Sequence, residues 1–306
     1  MPLADDWGLS AEARAFLEDP ANRDDRAPDP EMFPQWRAEG LAEAEAAAPG
    51  ILAETGVTLG EEEISGVRCQ TVTPAAVLGK EPVLYLFGGA YVMGGPLEDL
   101  PISAKIAAKT GRRVIAPHYR LAPEHPFPAG LDDASAVAYA LSEAGPFAIA
   151  GESAGGNLAL AATARLRKAG ARMPSALALL SPGADMHDRY DAWDEGRDPT
   201  LTGRFAERVP TLYAGERDKR DPEISPIYSD FGPDWPPTLI TTGTRDLLSA
   251  MCARLSRAMR AQGAPVELRL WDGLWHVFEY YPGIPEAEAS LAEISDFLAK
   301  ALDDGG

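Results

Sequence analysis

One serine is framed by small residues in a way that suits a nucleophile. Gly151-Glu152-Ser153-Ala154-Gly155 lies within AIAGESAGGNLALAA (148–162), between an apolar run and a helical one. The G-x-S-x-G spacing fits a sharp strand-to-helix turn that exposes the hydroxyl in strained backbone. Larger neighbours two positions away would collide with that turn or with a substrate. The helix that follows would aim its first N–H groups at developing negative charge.

A serine nucleophile needs a base, usually histidine. The chain has four. His118 stands just before the proline-dense YRLAPEHPFPAG and His125 within it, and both precede the serine. The order expected for this type of turn is serine, acid, histidine, which leaves His187 and His276. His187 lies in a charged segment. His276 lies in WDGLWHVFEYYPG, after an apolar run and before the last helical stretch, where a loop can reach the serine. For the acid, LITTGTRDLLSA offers Asp246 just past an apolar run and thirty residues before His276. It would accept the imidazole N–H, fix the tautomer and stabilise the imidazolium. The same side chain could instead cap the helix that follows. Asp185, after LLSPG, is the rival; Asp272 stands too near the histidine in sequence. An oxyanion needs backbone donors. LYLFGGAYVMGG supplies a second glycine-rich turn, with Gly88 and Gly89 as donors beside Ala154.

These residues need a scaffold that brings distant loops to one edge. Six short apolar runs are bounded by Gly or Pro: 82–87, 112–119, 146–151, 175–182, 236–244 and 265–271. Being apolar on both faces, they fit strands buried in a mainly parallel sheet. Helical patterns alternate with them, several closed by Gly. Strand–helix alternation predicts a doubly wound α/β fold. Two regions differ. The first fifty residues hold twelve Asp/Glu against four Lys/Arg, with apolar residues at helical spacing. SAEARAFLED predicts one amphipathic helix, and EMFPQWRAEGLAEAEAAAPG a second, broken near Pro34 and stopped by Pro49-Gly50. Residues 184 to about 225 show no strand pattern and are rich in charge and aromatics, an insertion above the sheet.

At 306 residues and a formal charge of −19, the chain suits one large α/β domain and repels nucleic acid and anionic membrane surfaces. Nothing resembles a bilayer span or a secretory signal, so a cytoplasmic location is expected. Cys69 and Cys252 suit neither a disulfide framework nor a zinc site. No metal and no cofactor are expected.

Together these pieces resemble the hormone-sensitive-lipase-like family of α/β-hydrolases, the bacterial carboxylesterases, from about residue 80 to the C-terminus. FGGAYVMGG is similar to the family's H-G-G-G or H-G-G-A loop, YRLAPEHPFPAGLDDA to a specific family string, and GESAGGNLAL to its G-D-S-A-G-G-N-L-A elbow. SPIYSDFGPDWPPTLITTGTRDLL and the HVF of 276–278 match the acid and base regions in order. The resemblance implies an α/β-hydrolase core (51–183 and 226–306) under a helical cap (1–50 and 184–225). It implies Ser153 as nucleophile, Asp246 as acid, His276 as base, and Gly88, Gly89 and Ala154 as oxyanion donors. It also implies a homodimer through the last strand and its helix, and a small-molecule ester as substrate, of short to medium acyl length. The chain departs from the pattern at Phe87 (the family's loop histidine), at His118 (an acidic residue there) and at Glu152 (Asp or Thr). Phe87, Tyr91, Glu152, Trp193, Phe205 and Tyr213 are the expected substrate contacts. A lactone, an amide or a bulky acyl compound is the alternative substrate, and a small-molecule-binding module the alternative of another class.

Overall fold

In the computed structural model, residues 8–24, 26–188 and 197–304 are described. Two strands absent from the sequence reading come first. β1 (Thr58–Ile64) and β2 (Val67–Thr73) form an antiparallel hairpin at one edge of the sheet. β1 is TLGEEEI, partly solvated along its length, and so lacks the apolar signature of a buried strand. The six apolar runs then become β3 (Val83–Leu86), β4 (Val114–Pro117), β5 (Ala148–Glu152), β6 (Leu177–Leu180), β7 (Thr238–Gly243) and β8 (Val266–Trp271). The order is β1-β2-β4-β3-β5-β6-β7-β8. Every pairing from β4 to β8 is parallel, and β2 runs antiparallel to β4. Every residue of β3, β5, β6 and β7 is buried, as apolar runs covered on both faces require.

The register decides what meets at the carboxyl edge. Leu86 pairs with Gly151, so the turn after β3 emerges beside the turn after β5. Gly243 pairs with Trp271, so the loops bearing Asp246 and His276 emerge beside each other. This edge of a parallel sheet is where open α/β folds bind ligands.

Among the described residues, two α-helices precede the sheet. α1 (Ala11–Glu18) is capped by the Ser10 side chain, as its sequence predicts. α2 runs from Phe33 to Thr55 without the expected break or stop. Pro34 lies in the first turn, where a missing N–H leaves no bond unmade. Pro49 is exposed, so the carbonyl it frees can turn to water. The helix ends at Gly56, whose φ of 69° is left-handed. α2 thus overruns the expected boundary at residue 50. α3 (Leu100–Thr110), α4 (Ala129–Ala144), α5 (Ser153–Ala169), α7 (Ser249–Ala261) and α8 (Pro285–Asp304) fall where the helical patterns lie. Between β6 and β7 the described residues hold α6 (Gly203–Ala214), a 3-10 turn and no strand. No helix among the described residues is long and apolar enough to cross a membrane.

Candidate active site

The first residue of α5 carries the strain. Ser153 has φ of 50°, in the left-handed region that costs a non-glycine residue on the order of 1–3 kcal/mol. The flanking glycines have a steric cause. A Cβ on Gly151 would stand 2.6 Å from the Gly155 carbonyl oxygen, and one on Gly155 would run into the carbonyls of Leu86 and Phe87.

Three side chains then form a line. Ser153 Oγ lies 2.9 Å from His276 Nε2, and His276 Nδ1 lies 3.0 Å from Asp246 Oδ1. With Nδ1 protonated toward the carboxylate, Nε2 is left to accept the serine proton. Asp246 is fully buried. Its Oδ1 also accepts the Leu248 N–H at 2.8 Å and its Oδ2 accepts the Thr242 hydroxyl at 2.6 Å. One side chain therefore serves both the histidine and the start of α7. Burial pushes the Asp246 carboxyl up, but His276 and the hydroxyls of Ser181 and Thr242 outweigh this and hold it below the ordinary aspartate value. Burial pushes His276 down, but Asp246, then Asp198 and Glu279, leave it above the ordinary histidine value.

None of the rival residues joins this line, although Asp185 and His187 border a cavity that reaches Ser153. Asp185 Oδ1 accepts the N–H groups of His187 and Asp188. Asp272 accepts the Thr244 hydroxyl at 3.0 Å. His187 pairs with Asp188, and His118 lies between Arg68 and Glu61.

The glycine-rich turn after β3 is held from two sides. The Tyr119 hydroxyl donates to the Phe87 carbonyl at 2.8 Å, and the Phe87 ring stacks on that of Tyr119 with centroids 4.0 Å apart. On the other side, the Gly88 N–H faces the buried carboxyls of Asp99 and Glu152. The Glu152 carboxyl occupies the space a Cβ on Gly88 would need. Tyr85 donates to Asp99 at 2.8 Å. Burial raises both acids, Asp99 to about 6 and Glu152 well above the usual glutamate value, where the nearby Asp99 adds to the effect. Each of two neighbouring buried carboxyls disfavours the charge of the other. The expectation for Gly88 is therefore corrected: its N–H is turned to these acids and away from an oxyanion. The next two residues have left-handed backbone, Gly89 at φ 89° and Ala90 at φ 55°. Asp99 and Ala90 escaped the sequence reading; GGA alone does not say which amides turn inward.

Two cavities meet at Ser153. One, of about 270 Å³, is mostly apolar and is lined by Tyr91, Met186, Leu201, Val209 and Met251 among others. The other, of about 360 Å³, is lined by Asp24, Glu39, Glu43, Glu98, Asp99 and Glu152, with Arg26, Trp36, Phe205 and His276. Residues of α2 and α6 form part of these walls. Of the expected substrate contacts, Tyr91, Glu152 and Phe205 reach a wall. Phe87 and Tyr213 line neither cavity: Phe87 packs on Tyr119, and Tyr213 lies behind Tyr91, stacked at 3.7 Å. Trp193 falls outside the described residues.

A family model described as an alpha/beta hydrolase fold matches residues 83–280. The chain is 35% identical over 245 residues to the acetyl-hydrolase of Streptomyces hygroscopicus, covering 76% of this chain and 80% of that one. It is 30% identical over 254 residues to the esterase of Acinetobacter venetianus, covering 78% and 81%. Among solved structures, a hormone-sensitive lipase from a metagenome library superposes with a TM-score of 0.85 at 30% identity, covering 96% of this chain and all of that one. An esterase from the bacterial hormone-sensitive lipase family gives a TM-score of 0.84 at 27% identity, covering 96% and 99%.

Proposed function

Because the chain belongs to the hormone-sensitive-lipase-like branch of the α/β-hydrolase family, and is an esterase-type hydrolase on that ground, we propose that it cleaves carboxylic esters through a Ser153–His276–Asp246 triad. The observation that carries this reading is the unbroken line from Ser153 Oγ through His276 to Asp246, at 2.9 and 3.0 Å. His276 takes the serine proton as Oγ attacks the ester carbonyl. The tetrahedral oxyanion rests on backbone N–H groups. Ala154 supplies one, as the residue after the nucleophile at the start of α5. Gly89 and Ala90 supply the others, one residue on from the pair expected from sequence. The imidazolium then gives its proton to the leaving alkoxide. His276 next deprotonates a water that attacks the acyl-enzyme, which releases the carboxylic acid and restores the Ser153 hydroxyl.

The apolar cavity supports acyl chains of short to medium length, since about 270 Å³ is near the lower end of small-molecule sites. The acidic cavity is then left for the alcohol. Aromatic walls would favour a bulky substrate, but of Phe87, Phe205 and Tyr213 only Phe205 lines a cavity.

Intact-protein mass spectrometry after fluorophosphonate treatment tests the triad. One adduct on the wild-type protein, absent from Ser153→Ala and His276→Ala, is the expected result. An unlabelled wild-type protein, or undiminished labelling of Ser153→Ala, would overturn the assignment.

A further inference from the structure

Asp198 lies on the segment between β6 and α6, far in sequence from the triad and buried to 4% exposure. Its Oδ2 accepts the N–H of Leu247 at 3.1 Å and the N–H of His276 at 3.1 Å. Its Oδ1 accepts the N–H of Thr200 at 2.9 Å and of Leu201 at 3.2 Å. The Thr200 hydroxyl stands 3.0 Å from that same oxygen and 3.3 Å from the His276 carbonyl. One carboxylate therefore joins the residue after Asp246 to the main chain of His276, and ties both to a stretch whose Thr200 and Leu201 line the active-site cavities.

We propose that Asp198 is a positioning residue of the hydrolytic site, which clamps the loop of the base against the loop of the acid from the segment that covers them. The inference rests on the triad reading above. Four N–H groups converge on two carboxylate oxygens, a demand that only an acceptor on both sides can meet. An amide offers one acceptor oxygen, so in Asp198→Asn one pair of N–H groups must face an NH₂. A buried donor left without a partner is costly, and the loop shifts to relieve it. A shift of His276 lengthens its approach to Ser153, to which proton transfer is sensitive.

The clamp also carries charge. The titratable groups facing His276 are Asp246 across Nδ1, Asp198 at its main chain and Glu279, whose Oε1 accepts the hydroxyls of Thr241 and Ser290. Removing the Asp198 charge makes the imidazolium less favourable. The pH at which His276 becomes a free base then falls.

The test is the pH profile of kcat and KM on a p-nitrophenyl ester for wild type and Asp198→Asn, with thermal melts beside them. The expected result is a kcat lower by about tenfold or more, a KM changed much less, and an acid limb moved to lower pH. A mere loosening of the fold does not move the limb in that direction. Wild-type kcat, or a fall in kcat with the limb unmoved, would overturn the proposal. Should Asp198→Asn not fold, Thr200→Val removes the hydroxyl that stands between Asp198 Oδ1 and the His276 carbonyl and leaves the Asp198 carboxylate in place. It should lower kcat by about twofold to fivefold, as the loss of one modest hydrogen bond implies; an unchanged kcat there would also overturn it. A wild-type protein that neither hydrolyses esters nor takes a fluorophosphonate on Ser153 refutes the triad itself. An active, labelled wild type with an indifferent Asp198→Asn refutes only the clamp.

Discussion

Phe16 lies flat on Trp275, with ring centroids 4.2 Å apart and planes within 3°. Trp275 is fully buried and immediately precedes His276, so α1 braces the loop that carries the base. Ala13, Leu274, Phe278 and Ile284 close a small apolar cluster there, separate from the main core. Ser10 fastens the helix by giving its N–H and its hydroxyl to Glu286 on α8. Phe16→Ala should weaken this cluster by about 2 kcal/mol, the order of one partly buried aromatic side chain and its stacking partner. The satellite position localises the effect. Esterase activity should be lost on heating at a lower temperature than the unfolding seen by circular dichroism, because the His276 loop loosens before the sheet does. Coincident midpoints in the variant would show that α1 does not brace the site independently.

The dependence on pH follows from the same histidine. Burial alone would lower the His276 pKa, but Asp246, Asp198 and Glu279 reverse the sign and raise it. The base works only when neutral. Activity is therefore present above the raised value and is lost as pH falls through it. The acid limb of kcat/KM should lie above the ordinary histidine pKa of about 6.5. Asp246→Asn should both lower kcat by on the order of 10³–10⁴ and remove the largest upward influence on the limb. A limb below the ordinary value in the wild type would contradict the arrangement of charges around His276.

Much of this site was legible because its chemistry is tied to local backbone. Gly151 and Gly155 mark the elbow because any Cβ there meets a carbonyl oxygen. The apolar runs before Ser153 and Asp246 mark strands because both faces are covered, whereas β8, the run before His276, is an edge strand with no buried residue. The register of a parallel sheet then places their loops at one edge. The hairpin of β1 and β2 was not legible: Glu61, Glu62 and Glu63 hide an edge strand whose side chains meet water. Pro49 misled for a related reason, since its cost depends on whether the freed carbonyl is solvated, which sequence does not state. Asp198 has a local signature, an aspartate capping Thr200 and Leu201 before a helix. Its bonds to Leu247 and His276 cross 49 and 78 positions and leave no pattern. That the Gly88 N–H faces Asp99 and Glu152 was not legible either, because only the fold brings those acids beside it.

Those acids lead to a further expectation. Glu152 and Asp99 hold the Gly88 N–H, and burial and the nearby Asp99 favour the neutral form of Glu152. Their hold on the turn supports it from the side opposite the stacked rings of Phe87 and Tyr119. A neutral carboxyl has a close mimic in glutamine, whose NH₂ can donate to Asp99 while its oxygen accepts from Gly88. Glu152→Gln should retain kcat within about threefold, whereas Glu152→Ala should lower it by about tenfold or more, as a displaced oxyanion donor would. Steady-state kinetics of the two variants, with KM measured alongside, decides the matter. Equal losses in both would mean that Glu152 acts through its charge.

The acidic cavity should choose among alcohols. Glu39, Glu43, Glu98 and Asp99 line it, and Arg26, the one Arg or Lys among its described lining residues, is paired with Asp24 at 2.7 Å, in a chain whose formal charge is −19. Such a field attracts a cationic leaving group and repels an anionic one. For one acyl group, kcat/KM should be higher for a choline-type ester than for its neutral carbon isostere, and lower for an ester whose alcohol bears a carboxylate. Salt should narrow the difference, since the cavity opens to solvent and added ions screen it. The pH dependence has a definite sign. Burial, Asp99 and Glu43 raise Glu98 to about 7, so its charge appears as pH rises through that value. The ratio of kcat/KM for the cationic ester over its neutral isostere should therefore climb across the same interval. His276 affects both esters equally and cancels in the ratio. A ratio near one that is insensitive to salt and pH would show that the alcohol leaves by another route and that this cavity does not hold it.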